Sequence, residues 1–590
     1  MCGIIGIVCS KEDKKIADKV ISALKRLEYR GYDSVGVASL DNNKLEVRKA
    51  KGTVEEVISK KKVSEMSGYI FLGHTRWATH GPPTDYNAHP HVDCSGKIAV
   101  IHNGTIKNYK ELREELQTLG HVFKSDTDTE IIPHLIEEFM KRGMDPYSAF
   151  RNSIKALEGS YAVLAVIHGE KRIFFAKRDN PLVIGLGEKE NYIASDIPAF
   201  LSYTKRILVI KDGELGFITT SNVFIEDKDG NPVDLSDRVR VVDWDVETAS
   251  KEGYPHFMIK EIHESPKSIR DTVDSLISDL DLIDKIIAEM KSSGRIVVVG
   301  AGTSYHAGLY FSLLLSREGM NSSPLIASEY YNFKAKKDDL IFAISQSGET
   351  LDLLQAVRKF KEEGARIVSL TNVIESALPR ESNYKIYMRA GPEISVAATK
   401  TFITQLISLL FIHARLRRDN TNKFRSADAE VERVITSVEG YAKLIGEELS
   451  KKTSIYYLGR GMSLPLAMEG ALKIKEVAYV HAEAYPAGES KHGPISLVDK
   501  GFPIVAINDG EITDLLRNNV IEMKARGAKA YVISVNKKIS ESDVEIYLDS
   551  IQFPALSISV VLQLIAYYAS VSKGLNPDKP RNLAKTVTVE

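Results

Sequence analysis

Up to about residue 238, apolar positions fall in short runs broken by turn residues. IIGIV (4–8), YIFLGHTRWAT (69–79), KIAVIHNGTI (97–106), SYAVLAVIHG (160–169), RIFFAKR (172–178), LVIGLG (182–187) and RILVI (206–210) predict strands. Helical spacing predicts fewer helices, over 14–30, 107–119 and 129–141. Short strands with few helices predict an α+β domain with mainly antiparallel pairing. A polar stretch follows, and the spacing places a linker at 239–258.

The pattern then changes. Apolar strands of about five residues alternate with longer helices, as in parallel α/β sheets. The second part also repeats itself. RIVVVGAGTSYHAG (295–308) matches SIYYLGRGMSLPLAMEG (454–470), and DLIFAISQSGET (339–350) matches GFPIVAINDGEI (501–512). ARIVSLTN (365–372) matches AKAYVISVN (528–536), and YKIYMRAG (384–391) matches VEIYLDS (544–550). Four elements recurring in order, about 160 residues apart, predict a duplicated domain rather than a solenoid. Two related sheets packed together leave a cleft for a ligand.

Composition narrows the function classes. A chain of 590 residues exceeds one core, so several domains are expected. Its 78 basic and 79 acidic side chains give a net charge of -1, with no basic footprint for nucleic acid. Three cysteines, Cys2, Cys9 and Cys94, make no disulfide framework and suit a reducing compartment. No cysteine–histidine spacing resembles a zinc motif, so no metal is expected. The apolar start ends at Val8, too short for a signal peptide, and no run approaches a membrane span. A cytoplasmic protein without nucleic-acid or membrane partners is expected.

The candidate chemistry begins at Cys2. If Met1 is trimmed, Cys2 carries both a thiol and a free α-amine, and the amine can serve as base for its own side chain. The alternative is a small residue opening a buried strand. Arg76 in GHTRWATHG (73–81) suits a carboxylate. Asn103 with the Gly104 N–H in HNGTI (102–106) suits an oxyanion. SDTDTE (125–130) reads as a helix cap, or else Asp126 or Asp128 binds an amine.

In the second part, SQSGET (345–350) follows a strand and precedes a helix. Ser345, Gln346, Ser347 and Thr350 suit a phosphate, with Thr303 and Ser304 as further donors, unless these hydroxyls only cap helices. The turn has no lysine, which disfavours a nucleoside triphosphate. Glu469, Lys473 and Glu476 share one helix face among apolar neighbours, so partly buried charges are expected there. His492, in GESKHGP (488–494), is a loop acid–base candidate.

MCGIIGIV, YRGYDS (29–34), GHTRWATHG, HNGTI and SDTDTE together resemble the N-terminal-nucleophile glutamine amidotransferases of class II. GTS, SQSGET, EGALKIKE (469–476) and the duplicated half resemble the sugar isomerase (SIS) fold. The resemblance runs from Cys2 to the closing LAKTVTVE (583–590). It implies an α+β N-terminal-nucleophile domain (2–238), the linker (239–258), two α/β SIS subdomains with parallel sheets (259–425 and 426–577) and a catalytic tail (578–590).

It further implies transfer of the amide nitrogen of L-glutamine to D-fructose 6-phosphate by a cytoplasmic homodimer, with no cofactor. The implied roles are Cys2 as nucleophile, with Asn103 and Gly104 holding the oxyanion. Arg76, Thr79, His80 and Asp128 bind glutamine, and Trp77 gates an ammonia channel. Thr303, Ser304, Ser345, Gln346, Ser347 and Thr350 hold the sugar phosphate. Lys585 forms a Schiff base, Glu476 moves the proton with Glu469 and Lys473 in support, and His492 opens the ring from the neighbouring subunit. Ala301, Ser395 and Ala398 depart from the pattern without removing a catalytic group.

Overall fold

Strand Gly3–Cys9 is buried along its whole length. It pairs antiparallel on both sides, with Glu190–Ala194 and with Ile70–Arg76. An apolar strand with both edges and both faces covered belongs in the middle of a sheet, and Cys2 therefore lies at a central strand's end. The computed structural model describes residues 2–10, 15–42, 44–77, 81–242, 251–374 and 376–586. It divides into two units, Met1–Ala249 with Ala584–Glu590, and Ser250–Leu583.

In the first unit, an eight-stranded sheet holds Gly3–Cys9 and a six-stranded sheet holds Ile98–Ile106. All their strand pairings are antiparallel. Alternation along the second sheet explains the layering. Ala99, Ile101 and Leu164 face the first sheet's core, whereas Val100, Val163 and Ala165 face a core with Ile132, Ile136 and Phe150. Helix Lys15–Leu27 joins the first core, and helices Ile131–Lys141 and Pro146–Lys155 cover the second.

The helices expected over 14–30, 107–119 and 129–141 form as Lys15–Leu27, Tyr109–Thr118 and Ile131–Lys141. Two more were missed, Val54–Lys61 and Pro146–Lys155. Both are too short for periodicity to show, but their caps were readable. Thr53 and Glu56 form a capping box, and Asp145 caps a helix that starts with Pro146. The cap expected from SDTDTE does not form: the helix begins after Glu130 with no side-chain cap.

The second unit repeats one plan. Its first sheet runs in the order Ser322–Ile326, Arg295–Gly300, Asp339–Ser345, Arg366–Thr371, Tyr384–Tyr387. Its second runs His481–Pro486, Ser454–Gly459, Pro503–Asn508, Lys529–Val535, Val544–Leu548. Both are parallel throughout and share one strand order. That order reverses direction between its first and second strands by sequence and its third, which opens a crevice at the strands' carboxyl ends. Helix Pro554–Ser572 is long and apolar enough to cross a membrane, but 83% of its apolar window is buried inside the fold. It packs on helices Ala427–Leu449 and Ser463–Ala478.

Candidate active sites

The end of strand Gly3–Cys9 is pinned by side chains. Gly3 N–H donates to Thr75 Oγ1 (3.1 Å) and Ile4 N–H to Ser195 Oγ (3.0 Å). Cys2 Sγ accepts from the Trp77 N–H at 3.2 Å. Burial pushes the Cys2 thiol up, and the positive amino terminus, the Trp77 N–H and Arg76 pull it partly back.

Asn103 Nδ2 donates to the Cys2 carbonyl at 2.8 Å. Its Oδ1 lies 3.2 Å from His74 Nε2, which also faces the His102 carbonyl at 3.1 Å. Both neighbours of Nε2 are acceptors, so that nitrogen carries the proton and the Asn103 NH₂ is held toward Cys2. Gly104 has φ +124, and a Cβ there would lie 2.0 Å from the Ser160 carbonyl oxygen, so only glycine fits beside Asn103.

Arg76 is buried, and its guanidinium donates to the carbonyls of Gly81 (3.2 Å) and Pro82 (3.4 Å). Burial lowers its pKa, against the opposing fields of Cys2, Asp128 and Asp33. Asp128 is buried and accepts from the Ile106 N–H at 2.8 Å, whereas Asp126 is exposed and bonds Asn87. The structure thus separates the two aspartates that the sequence left open. Cys2, Arg76, Trp77, Asn103, Gly104 and Asp128 come together; Thr79 and His80 lie outside the described residues.

In the second unit, the crevice of the first sheet holds the serine-rich turn. Ser345 Oγ accepts from the Gly348 N–H (3.0 Å) and shares a hydrogen bond with Thr350 Oγ1 (3.2 Å). Ser347 Oγ accepts from the Glu349 N–H at 3.2 Å. Thr350, which begins the second helix, makes no side-chain cap bond, and the first helix begins at Gly302, which has no side chain to cap it. The hydroxyls shape the turn rather than cap helices. Gly348 has φ +66, and a Cβ there would meet Ser376 Oγ at 2.0 Å, so the tight turn requires glycine. Ser304 Oγ accepts from Gln405 Nε2 at 2.9 Å.

The matching turn of the second sheet carries acids instead. Burial pushes Asp509 up to about 6, with the Glu511 N–H pulling it partly back and the Glu511 carboxylate adding to the rise. The two repeats therefore differ in this turn, with hydroxyls in the first and carboxyls in the second.

Glu469 bridges the two subdomains. It accepts from Thr303 Oγ1 (3.0 Å), meets His306 Nδ1 (2.7 Å) and lies 3.3 Å from Lys473 Nζ. Lys473 also pairs with Glu476. Lys473 and Glu469 are 0% and 1% exposed, so the expected partial burial is nearly complete. Burial opposes both charges. For Lys473 the two carboxylates outweigh it and hold the ammonium above the usual lysine range. For Glu469, Lys473, His306 and Thr303 outweigh it and hold the carboxyl below its usual range. His492 ends the short helix Glu489–His492 and is exposed. Lys585 is half-buried in the segment that belongs with the first unit.

Residues 74–202 match the glutamine amidotransferase domain, and residues 289–414 and 448–573 each match the SIS domain. The chain is 98% identical over all 590 residues to the glutamine–fructose-6-phosphate aminotransferase (isomerizing) of Sulfolobus acidocaldarius, with both chains fully covered. It is 72% identical, again with both fully covered, to that of Sulfurisphaera tokodaii. The chain belongs to the glutamine–fructose-6-phosphate aminotransferase family. The C-terminal domain of glucosamine-fructose-6-phosphate aminotransferase from Francisella tularensis matches 56% of this chain and 99% of its own length, at 35% identity and TM-score 0.51. The enzyme transfers the amide nitrogen of L-glutamine to D-fructose 6-phosphate with isomerisation, giving D-glucosamine 6-phosphate and L-glutamate. This is the first step of hexosamine synthesis.

Three residues of these sites escaped the sequence reading. His306 was detectable, because it lies one turn after Thr303 on the same helix face. Gln405 and His74 carried no local signal.

His74 belongs to a buried group of histidines in the aminotransferase. Its ring stacks on His89 (centroids 4.0 Å apart), which meets His91 edge-on (4.7 Å). Burial holds His74 down to about 3, and His89 and His91 well below the histidine range. Arg76, Lys49 and His102 face the group and add repulsion. In the unfolded chain each titrates near 6.5, so below that pH the unfolded state binds protons that the folded state refuses. Stability is complete above about 6.5 and falls with pH by about 1.4 kcal/mol per unit for each histidine. Denaturant midpoints at pH 7.0 and 5.5, followed by tryptophan fluorescence, are expected to show this loss, and His89→Leu to reduce its slope. Equal slopes in both proteins refute the assignment.

Proposed function

We propose that Cys2 attacks the glutamine carboxamide once removal of Met1 frees the Cys2 α-amine. The amine takes the thiol proton and passes it to the departing ammonia, leaving a γ-glutamyl thioester that water cleaves to glutamate. The Asn103 NH₂ and the Gly104 N–H stabilise the oxyanion. Arg76 holds the α-carboxylate and Asp128 the α-amine, with Thr79 and His80 lining the pocket and Trp77 as gate to the channel. The Trp77 N–H on Cys2 Sγ and the His74-locked amide of Asn103 support this reading.

At the sugar site, Ser304, Ser345, Gln346, Ser347 and Thr350 take the phosphate, with Thr303 beside them. His492 opens the ring, and Lys585 condenses with the C2 carbonyl, releasing water. Ammonia displaces Lys585 from C2. The resulting iminium acidifies C1, Glu476 removes a C1 proton and the enolamine is reprotonated at C2, leaving an aldehyde at C1. Exposure of His492 in the single chain supports a homodimer in which the partner supplies it. The cysteine count and balanced charge support a cytoplasmic enzyme without nucleic-acid or membrane partners.

The observation that carries the reading is the Glu469–Lys473–Glu476 series, in which a wholly buried lysine pairs with two carboxylates and Glu469 meets Thr303. Glutamine labelled in its amide nitrogen, incubated with fructose 6-phosphate, yields labelled glucosamine 6-phosphate. Lys585→Ala is expected to lower that yield at least about 10³-fold while glutamate release persists. Undiminished aminosugar from Lys585→Ala overturns the Schiff-base role.

A further inference from the structure

Four side chains from three segments of the first unit converge on one point. Cys94 lies in the turn between strands His91–Val92 and Ile98–Ile106. His121 follows Gly120 (φ +90), just beyond helix Tyr109–Thr118. His134 and Glu137, three residues apart, share a face of helix Ile131–Lys141.

Five of the six distances between their donor atoms match a tetrahedron's edges, and all six lie within 4.8 Å. His121 Nδ1 lies 3.3 Å from His134 Nδ1 and 3.1 Å from Glu137 Oε2. His134 Nδ1 lies 3.4 Å from the same oxygen. Cys94 Sγ lies 3.8 Å from His121 Nδ1 and 3.6 Å from His134 Nδ1. A tetrahedral zinc ion, with bonds of about 2.0–2.1 Å to nitrogen or oxygen and 2.3 Å to sulfur, has edges of about 3.3 and 3.6 Å. All five distances fall within about 0.3 Å of those values.

The groups behind the donors point the same way. His121 Nε2 faces Glu138 Oε2 at 3.2 Å, the carboxylate partner that a metal-ligating imidazole keeps behind it, with Nδ1 on the side of the other three donors. The Val122 N–H donates to Cys94 Sγ (3.4 Å) and the Cys94 N–H to Glu137 Oε2 (3.1 Å). Lys141 holds the other Glu137 oxygen at 2.9 Å. His121, His134 and Glu137 are buried, while Cys94 is exposed and gives an ion its way in.

We propose that Cys94, His121, His134 and Glu137 form a structural zinc site. One thiolate and one carboxylate balance a dication, and two imidazoles with a thiolate favour zinc among common divalent ions. Binding displaces the Cys94 thiol proton to solvent. Four protein ligands leave no open position, so the site is structural and not catalytic. It ties the turn at Cys94 to both ends of the segment 121–137, which carries Asp128. The ligands are 27, 13 and 3 residues apart, a spacing unlike any linear zinc motif, so the sequence led to the opposite expectation of no metal.

The full-length enzyme is expected to retain one zinc ion per chain after dialysis, by inductively coupled plasma mass spectrometry. Cobalt added to chelator-stripped enzyme is expected to give tetrahedral ligand-field bands and a thiolate-to-cobalt charge-transfer band. Cys94→Ser removes the charge-transfer band, and His134→Ala weakens cobalt binding at least about tenfold. The wild-type cobalt spectrum needs no variant to fold, and neither readout depends on the catalytic roles above. Zinc-free enzyme whose cobalt spectrum lacks a thiolate band overturns the site.

Discussion

Cys2→Ala is expected to lose glutamine-dependent synthesis by on the order of 10⁴-fold or more, while synthesis from ammonium salts survives. Cys2 Sγ sits at the end of a central strand whose position is set by pairing on both sides and by the Thr75 and Ser195 hydroxyls. Asn103 and Gly104, the proposed oxyanion donors, remain in the variant, but without a thiol they have no tetrahedral intermediate to stabilise. Ammonia supplied from solution bypasses this step and needs only the sugar site. Because burial raises the Cys2 thiol, wild-type glutaminase activity is expected to climb with pH until a thiolate is readily formed. Labelled product at wild-type rates from Cys2→Ala and glutamine refutes the nucleophile assignment.

Lys473→Met is expected to destabilise the second unit by about 3–5 kcal/mol and to abolish aminosugar formation, with glutamate release kept. Lys473 is wholly buried between Glu469 and Glu476, and methionine matches its length without its charge. Removing the ammonium strands Glu469 against Thr303 and His306 with no cation of comparable strength. A buried pair costs most when one partner is deleted, because the survivor stays desolvated. The double variant Glu469→Gln with Lys473→Met is therefore expected to recover part of the stability but none of the synthesis. Denaturant unfolding and separate assays of glutamate and glucosamine 6-phosphate test this. A double variant less stable than Lys473→Met contradicts the account, as does Lys473→Met with normal synthesis.

Much of this enzyme was readable along the chain because its signals are local. IIGIV, KIAVIHNGTI and SYAVLAVIHG became strands because apolar runs between turn residues have little else to do. The repeat of RIVVVG, DLIFAI, ARIVSLT and YKIY appeared as two sheets with one strand order. Glu469, Lys473 and Glu476 were placed on one face by helical spacing alone. Positive-φ glycines, such as Gly104 beside Asn103 and Gly348 in the serine-rich turn, also mark themselves by type.

What the chain order could not show are contacts whose partners lie far apart in sequence. Residue type left Asp126 and Asp128 open and only the resemblance pointed to Asp128; folding buried that one beside Arg76 and left the other exposed on Asn87. His74 orients Asn103 only because two strands from different sheets meet. Gln405 reaches Ser304 across 101 positions. Cys94, His121, His134 and Glu137 converge only when a turn, a loop and a helix pack together. Periodicity and turn chemistry act over a few residues and are written into the sequence. Which buried polar groups face one another is decided by packing, since each must find a partner wherever the fold has carried it.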